Sequence, residues 1–258
     1  MSLPSAPAVR RAFDRAASTY DAAAQVQRAT IDSLLAVLPP MQARAIADVG
    51  CGTGLAFAGL RQRFPDAHID CIDFAPDMLV RAPGDANSRK TVADAANLPL
   101  ADTSLDLVFS SLTYQWCDLP TVLKEARRVL RPNGLLVFST LLQGTFRELD
   151  LVFSGLDAYR HTLPLLSSAQ VDSIVTAEHW SVQHRACIHR QTHHASLKAV
   201  LQSIRATGAN EVGAQRRPGL LGKTSWQTMN QRYATLADRV GDLPLSYEVL
   251  EIVMGRTR

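Results

Sequence analysis

The chain has 258 residues and a mass of 28.1 kDa, with 47% hydrophobic and 20% charged side chains, and 27 Lys and Arg against 24 Asp and Glu give a formal charge of +3. That length is enough for one large domain with a sizeable core, and the apolar fraction excludes disorder, collagen-like repeats and coiled coil as global descriptions. No apolar run reaches the ~18 residues of a membrane span, the first residues carry charges where a leader needs an apolar stretch, and Cys51, Cys71, Cys117 and Cys187 form no CxxC pair, so a cytoplasmic protein in a reducing compartment, with no membrane partner, is expected.

In chain order, Val9–Tyr20 and Gln25–Leu38 read as helices, the second with Val26, Ala29, Ile31, Leu34, Leu35 and Leu38 at helical spacing. AIADVG, HIDCIDF, KTVADAA, LDLVFSSL and LLVFSTL read as strands bounded by Gly, Pro, Asp or Asn. Helical stretches at 55–64 and 119–130 lie between them, an alternation that predicts a parallel sheet with helices on both faces. After Thr140 the pattern changes to helices around 146–160 and 167–177 and a polar strand, Val182–Thr192. A helix around 195–207, the loop GANEVGAQRRPGLLGK (208–223), a helix around 224–239 and a last strand, Leu245–Met254, complete the chain. Neither an internal repeat nor a long linker interrupts it, so one domain over 1–258 is expected, divided into N-terminal helices (1–43), a core (44–141) and insertions with the last two strands (142–258).

The run Asp48-Val49-Gly50-Cys51-Gly52-Thr53-Gly54 ends the first strand and opens a helix. Its glycines let the backbone turn sharply and approach a ligand closely. The spacing is GxGxG, not the dinucleotide GxGxxG, and a carboxylate two residues before the first glycine repels a pyrophosphate but attracts an ammonium. Asp73 closes the second strand, where an acid accepts from both ribose hydroxyls of a nucleoside. Asp94, at the end of the third strand, is placed for an exocyclic adenine amine or for an acidic strand–loop junction. These positions point to a cationic nucleoside without phosphate, S-adenosyl-L-methionine. A dinucleotide oxidoreductase is disfavoured by Asp48 and the glycine spacing.

The charge is unevenly spread. Residues 1–141 carry 14 basic and 14 acidic side chains, whereas residues 179–232 carry eight basic and one acidic, together with five of the seven histidines. Arg185, Arg190, Lys198, Arg205, Arg216, Arg217 and Lys223 are therefore candidates for a surface that receives an acidic partner, or for ordinary solvated charge. Nucleic acid is not expected, because aromatic interleaving there is limited to Trp180, Trp226 and Tyr233. His184, Cys187, His189, His193 and His194 do not have structural-zinc spacing along a strand, and no metal is expected.

Taken together, DVGCGTG, CIDFAPDML, VADAANLPL, LDLVFSSL and RVLRPNGLLVFST resemble class I S-adenosylmethionine-dependent methyltransferases over about residues 44–141. More narrowly, AFDRAASTYD, SSLTYQWC, LLQGTFREL and LPLSYEVL are similar to the malonyl-acyl-carrier-protein O-methyltransferases of biotin synthesis over nearly the whole chain. The stretch LVRAPGDANSRK after Met78 departs from that pattern, being short and broken by Pro83. The resemblance implies a Rossmann-like, doubly wound α/β fold. Its seven-stranded sheet is mostly parallel with an antiparallel last strand, accompanied by N-terminal helices and helical insertions. It implies a cofactor site of Asp48, Gly50, Gly52, Gly54, Asp73, Phe74, Met78, Asp94, Ala95, Ser110 and Gln115. It also implies methylation of the free carboxyl of a malonyl thioester on an acidic acyl carrier protein, giving an ester that primes pimelate assembly. An arginine-modifying relative shares much of the pattern, which leaves a different acceptor as the alternative.

The acceptor carboxylate is already ionised at neutral pH, since its pKa lies near ~4, so no general base is required. The enzyme has to exclude water and hold one oxygen in line with the sulfonium. Tyr20 and then Arg147 are the candidates to hold the other oxygen. Tyr20 is alternatively a cap on the cofactor pocket, Arg147 a solvated helix-start residue and Asp21 a helix cap, and Trp116 either lines the pocket or is a core residue.

Overall fold

The computed structural model describes residues 3–213, 216, 217, 219, 222–237 and 241–256. Its helices are α1 (Ala6–Ala16), α2 (Tyr20–Ala23), α3 (Gln25–Val37), α4 (Phe57–Arg63), α5 (Pro76–Arg81), α6 (Leu119–Val129), α7 (Arg147–Phe153), α8 (Ser168–Ala177), α9 (Leu197–Ala206) and α10 (Lys223–Ala234). The strands are β1 (Ala45–Val49), β2 (His68–Asp73), β3 (Ser88–Val92), β4 (Leu105–Ser110), β5 (Leu130–Leu141), β6 (Trp180–His194) and β7 (Leu243–Arg256). They form one seven-stranded sheet in the order β3-β2-β1-β4-β5-β7-β6. Pairing is parallel from β3 to β5 and antiparallel on both sides of β7. The expected class of sheet, with its reversed last strand, is the one observed.

Strand alternation sends the two faces of the sheet into two helical layers. On one face Leu107, Phe109, Ile46, Ile69 and Val137 pack with Leu34 of α3 and Leu60 of α4. On the other, Val108, Ala47, Leu136 and Phe138 pack with Val122, Leu123 and Ala126 of α6 and with Val171 and Val175 of α8. Helix α6 illustrates the local logic. Asp118 caps it by accepting from the Thr121 amide (3.2 Å), Pro120 sits in its first turn, and Leu119, Val122, Leu123, Ala126 and Val129 fall on one buried stripe. Helices α7, α9 and α10 form a third core of Leu149, Val152, Val200, Met229 and Tyr233 over Leu245 of β7.

Element limits differ from the sequence expectation where side chains intervene. The expected helix 9–20 is two, because α1 stops at Ala16, where the Thr19 hydroxyl donates to the Ala16 carbonyl (3.1 Å) and to Ala206 of α9 (3.0 Å). The helix expected to reach 160 ends at Phe153, just before Gly155 at φ +71°. The third strand ends at Val92, and beyond it Asp94 takes the Ala96 amide (2.9 Å) in an Asx turn. The expected loop 208–223 and the end of the helix at 224–239 lie partly outside the described residues.

Phe109 is fully buried between β1, β5 and α3. Phe109→Ala is expected to cost about 3–5 kcal/mol, read as a lower denaturant midpoint at unchanged slope.

Candidate active site

With β1 at the centre and the chain running outward to β3 on one side and β5 on the other, the carboxyl edge between β1 and β4 is the topological switch point where open α/β sheets bind ligands. The glycine loop leaves β1 there. Gly50 has φ +70°, its amide donates to the Ile72 carbonyl (2.7 Å), and a β-carbon on it would fall 2.1 Å from Thr113 Oγ1. Gly54, at φ +79°, would place one 2.5 Å from Pro83. Backbone therefore comes where no side chain fits.

Behind the loop lie two desolvated carboxylates. Asp48 is 2% exposed, and its Oδ2 has no hydrogen-bond partner. Burial, and then the neighbouring Asp73, push its pKa up to about 7. Asp73 is buried as well, and desolvation raises it to about 6 even though Gly52 and Ala75 each donate an amide to it at 2.8 Å. A buried carboxylate without a donor is costly, and a cation relieves both groups at once.

The N-terminal segment closes the site. Thr53 in the glycine loop donates to Asp21 (2.5 Å), Arg28 holds the Asp21 carbonyl (3.0 Å), and Tyr20 Cε1 lies 4.0 Å from the β-carbon position of Gly52. Burial raises the Tyr20 phenol, keeping it protonated. Asp21 thus latches the loop rather than capping a helix. Phe13 of α1 meets Trp116 edge-on at 5.6 Å and Phe74 at 6.5 Å.

Beneath these rings is a cavity of about 230 Å3. Its roof is Ala6, Val9 and Phe13, and its walls are Gly50, Gly52, Asp73, Phe74, the turn Ala93–Ala96, Ser111–Thr113, and Trp116–Asp118. Of the residues singled out from sequence, Gly50, Gly52, Asp73, Phe74, Asp94 and Ala95 converge on this wall. Asp48 stands behind it. Gly54 packs on Ala82 and Pro83, Met78 packs with Ala16, Ala17 and Ala75, and Ser110 donates to the Val49 carbonyl (2.8 Å), stitching β4 to β1. Gln115 donates to the Leu112 carbonyl (2.5 Å) and lines a second cavity of about 250 Å3, which shares Cys117 and Asp118 with the first. A third, of about 10 Å3, lies beside Trp116, Leu141 and Phe146.

Tyr20 abuts Gly52 without lining any of these cavities, and Arg147 does not line them either. It lies half-exposed at the start of α7, 3.5 Å from Glu148 and 3.6 Å from Glu248. Sequence reasoning missed the α1 roof and Thr113, whose only sequence signal was its place within the SSLTYQWC run. Two thiols are held protonated: burial carries Cys117 to about 12, and a hydrogen bond with Cys71 together with burial raises Cys51.

The basic segment separates into two groups. Arg185 grips Asp172 (2.7 Å), Arg190 reaches the Ala29 carbonyl (3.0 Å) and the fully buried Glu251 (3.4 Å), Arg216 pairs with Glu211 (3.5 Å) and Arg217 with Asp157 (3.1 Å). Lys198, Arg205 and Lys223 are exposed and have no ion pair among the described residues. Among those residues, no group of three His, Cys, Asp or Glu is placed to hold a metal, and no helix is long and apolar enough to cross a membrane.

A family model described as a methyltransferase domain matches residues 47–138. A malonyl-[acyl-carrier protein] O-methyltransferase of Herminiimonas arsenicoxydans is 40% identical, covering 95% of this chain and 94% of the relative. One of Dechloromonas aromatica (strain RCB), with the same name, is 38% identical over 96% and 93%. A solved structure from Bacillus halodurans C-125, provisionally named a methyltransferase, superimposes with TM-score 0.64 at 12% identity, covering 89% of this chain and all of that one, and shares its fold.

Because Asp48 and Asp73 titrate higher folded than unfolded, their protonation favours the fold at low pH, a contribution lost as pH rises through about 6 to 7. The Tm of the ligand-free protein is expected to fall between about pH 4 and 7 on this account. Asp48→Asn is expected to flatten that slope and to stabilise the ligand-free protein at pH 8 by on the order of 2 kcal/mol, as read by calorimetry.

Proposed function

The chain belongs to the malonyl-[acyl-carrier protein] O-methyltransferase family, and from that premise we propose that it methylates the free carboxylate of a malonyl thioester on acyl carrier protein. The donor in this reading is S-adenosyl-L-methionine, and the ester primes pimelate assembly in biotin synthesis. The observation that carries it is the buried, unpartnered Asp48 oxygen beside Asp73 at the end of β1. That pair calls for a cation and repels phosphate. The continuous sheet from β3 to β6 supports treating residues 1–258 as one methyltransferase domain.

In this reading Asp48 faces the ammonium of the methionine moiety, Asp73 takes the ribose hydroxyls, and Asp94 takes the adenine amine with Phe74 and Ala95 against the ring. Gly50 and Gly52 give the backbone its close approach. Gly54, Met78, Ser110 and Gln115 act by position, fixing the loop, α5, the β4 end and the Leu112 turn. When bound, the donor supplies an electrophilic methyl on sulfur. The protein excludes water beneath Phe13 and Trp116, and Tyr20, kept protonated by burial, offers a hydroxyl donor to the acceptor. Arg147 has no part in this reading, because Glu148 and Glu248 hold it elsewhere.

Lys198 and Arg205, seven residues apart on one face of α9, and Lys223 at the start of the adjoining α10 form the docking surface for an acidic carrier. A second reading, a cationic acceptor such as arginine, draws on the acidic residues in the cavity wall, Asp73, Asp94 and Asp118.

The deciding assay compares malonyl-carrier, acetyl-carrier and an arginine peptide as methyl acceptors. Malonyl alone is expected to accept, and Tyr20→Phe to lower kcat by about tenfold with donor affinity retained; acceptance by the peptide in place of malonyl reverses the assignment. Replacing Lys198, Arg205 and Lys223 together by Glu is expected to lower kcat/KM for the carrier-bound substrate by about tenfold at low salt. Activity on a small malonyl-pantetheine thioester should stay unchanged, and an equal loss on both substrates removes the docking surface.

A further inference from the structure

Among the described residues, three charged side chains line the three cavities, the buried Asp73 and the exposed Asp94 and Asp118, and no Lys, Arg or His does. Asp48 adds a fourth carboxylate behind the glycine loop. Arg28 is committed to the Asp21 carbonyl and Arg147 to Glu148 and Glu248. The neutral donors in the first cavity are hydroxyls, Ser111 and Thr113, and the Trp116 indole. The ligand-free site is thus lined by acids, Asp48 and Asp73 buried and Asp94 and Asp118 facing solvent, yet the acceptor of the proposed reaction is itself an anion.

Resting on that reading, we propose that the enzyme admits its anionic acceptor only after the cationic donor is in place, the donor's sulfonium being the counter-ion that the described lining residues do not provide. Around the buried Asp48 and Asp73 unlike charges attract and like charges repel more strongly than in water, so loading with a cation offsets the acidic lining and favours entry of a carboxylate. Thermodynamic reciprocity requires the acceptor to tighten the cationic donor by the same factor. The reaction then dissolves its own attraction. An acceptor oxygen lone pair forms the bond to the methyl carbon, the carbon–sulfur bond breaks with its electrons going to sulfur, and no proton moves. Ester and thioether are both uncharged at the reacting atoms, which favours release.

The test titrates malonyl-pantetheine thioester calorimetrically into wild-type protein in three states: free, saturated with sinefungin, which carries an ammonium in place of the methylsulfonium, and saturated with S-adenosylhomocysteine, its neutral thioether counterpart. Malonyl binding is expected to be at least tenfold tighter with sinefungin than with the thioether, about 1.4 kcal/mol, and weakest to the free protein. The acetyl thioester, lacking the carboxylate, is expected to differ by less than twofold between the two loaded forms. In Asp118→Asn, whose amide oxygen retains the cap on α6, malonyl affinity for the thioether-loaded form is expected to rise several-fold. Equal malonyl affinities in both loaded forms, or tight binding to the free protein, overturn the proposal while methyl-ester formation keeps the substrate assignment. Absence of both malonyl binding and ester formation removes the substrate assignment and this proposal with it.

Discussion

Two carboxylates buried side by side, with one oxygen left unpartnered, are the constraint around which this molecule is built. Asp48 on β1 and Asp73 on β2 lie on adjacent parallel strands at the sheet's carboxyl edge; burial makes both harder to ionise, and Asp73 adds to the effect on Asp48. A fold that minimised its own free energy would place a donor or an apolar side chain there. Retaining the carboxylates makes the ligand-free protein less stable near neutral pH and gives a cation a place prepared in advance. The glycine loop, the Asp21–Thr53 latch and the aromatic roof all surround that one electrostatic defect.

The same economy of charge explains the rest of the enclosure. Its polar wall residues are acids and hydroxyls, whereas the cations of the chain are on the outside or spent on internal partners. Arg190 is the clearest case, since its guanidinium bridges α3 and the buried Glu251 of β7 and so serves the sheet instead of a partner. Only Lys198, Arg205 and Lys223 of the seven basic candidates remain exposed without an ion pair among the described residues. Net charge along a sequence measures potential partners, and the fold decides how many are left to offer.

The helical additions have a physical rationale in their packing. Helices α7, α9 and α10 bury their own apolar faces against one another and the start of β7, and the Tyr233 hydroxyl fixes that contact on the Pro244 carbonyl at 2.7 Å. They therefore present a stable outer surface beside the carboxyl edge of the sheet. Thr19, bonded to Ala206 of α9, ties the N-terminal roof to this surface. Cofactor roof and docking helices are in this way mechanically adjacent.

Much of this was legible in the amino-acid order. The alternation of apolar strands with helical stretches, the GxGxG spacing and the acids at three strand ends are local patterns, and local patterns survive without coordinates. They sufficed for the parallel sheet and for Gly50, Gly52, Asp73 and Asp94 of the wall, whereas the reversed last strand, Phe74 and Ala95 were implied by the family resemblance. What sequence could not contain is what depends on long-range approach. Thr19 splitting the first helix, Phe13 roofing the cavity, Asp21 latching the loop and Arg147 turning to Glu248 each join residues far apart in the chain. Motifs record which groups the chemistry needs; only tertiary contact decides which of them arrive, and which charges are spent on the way.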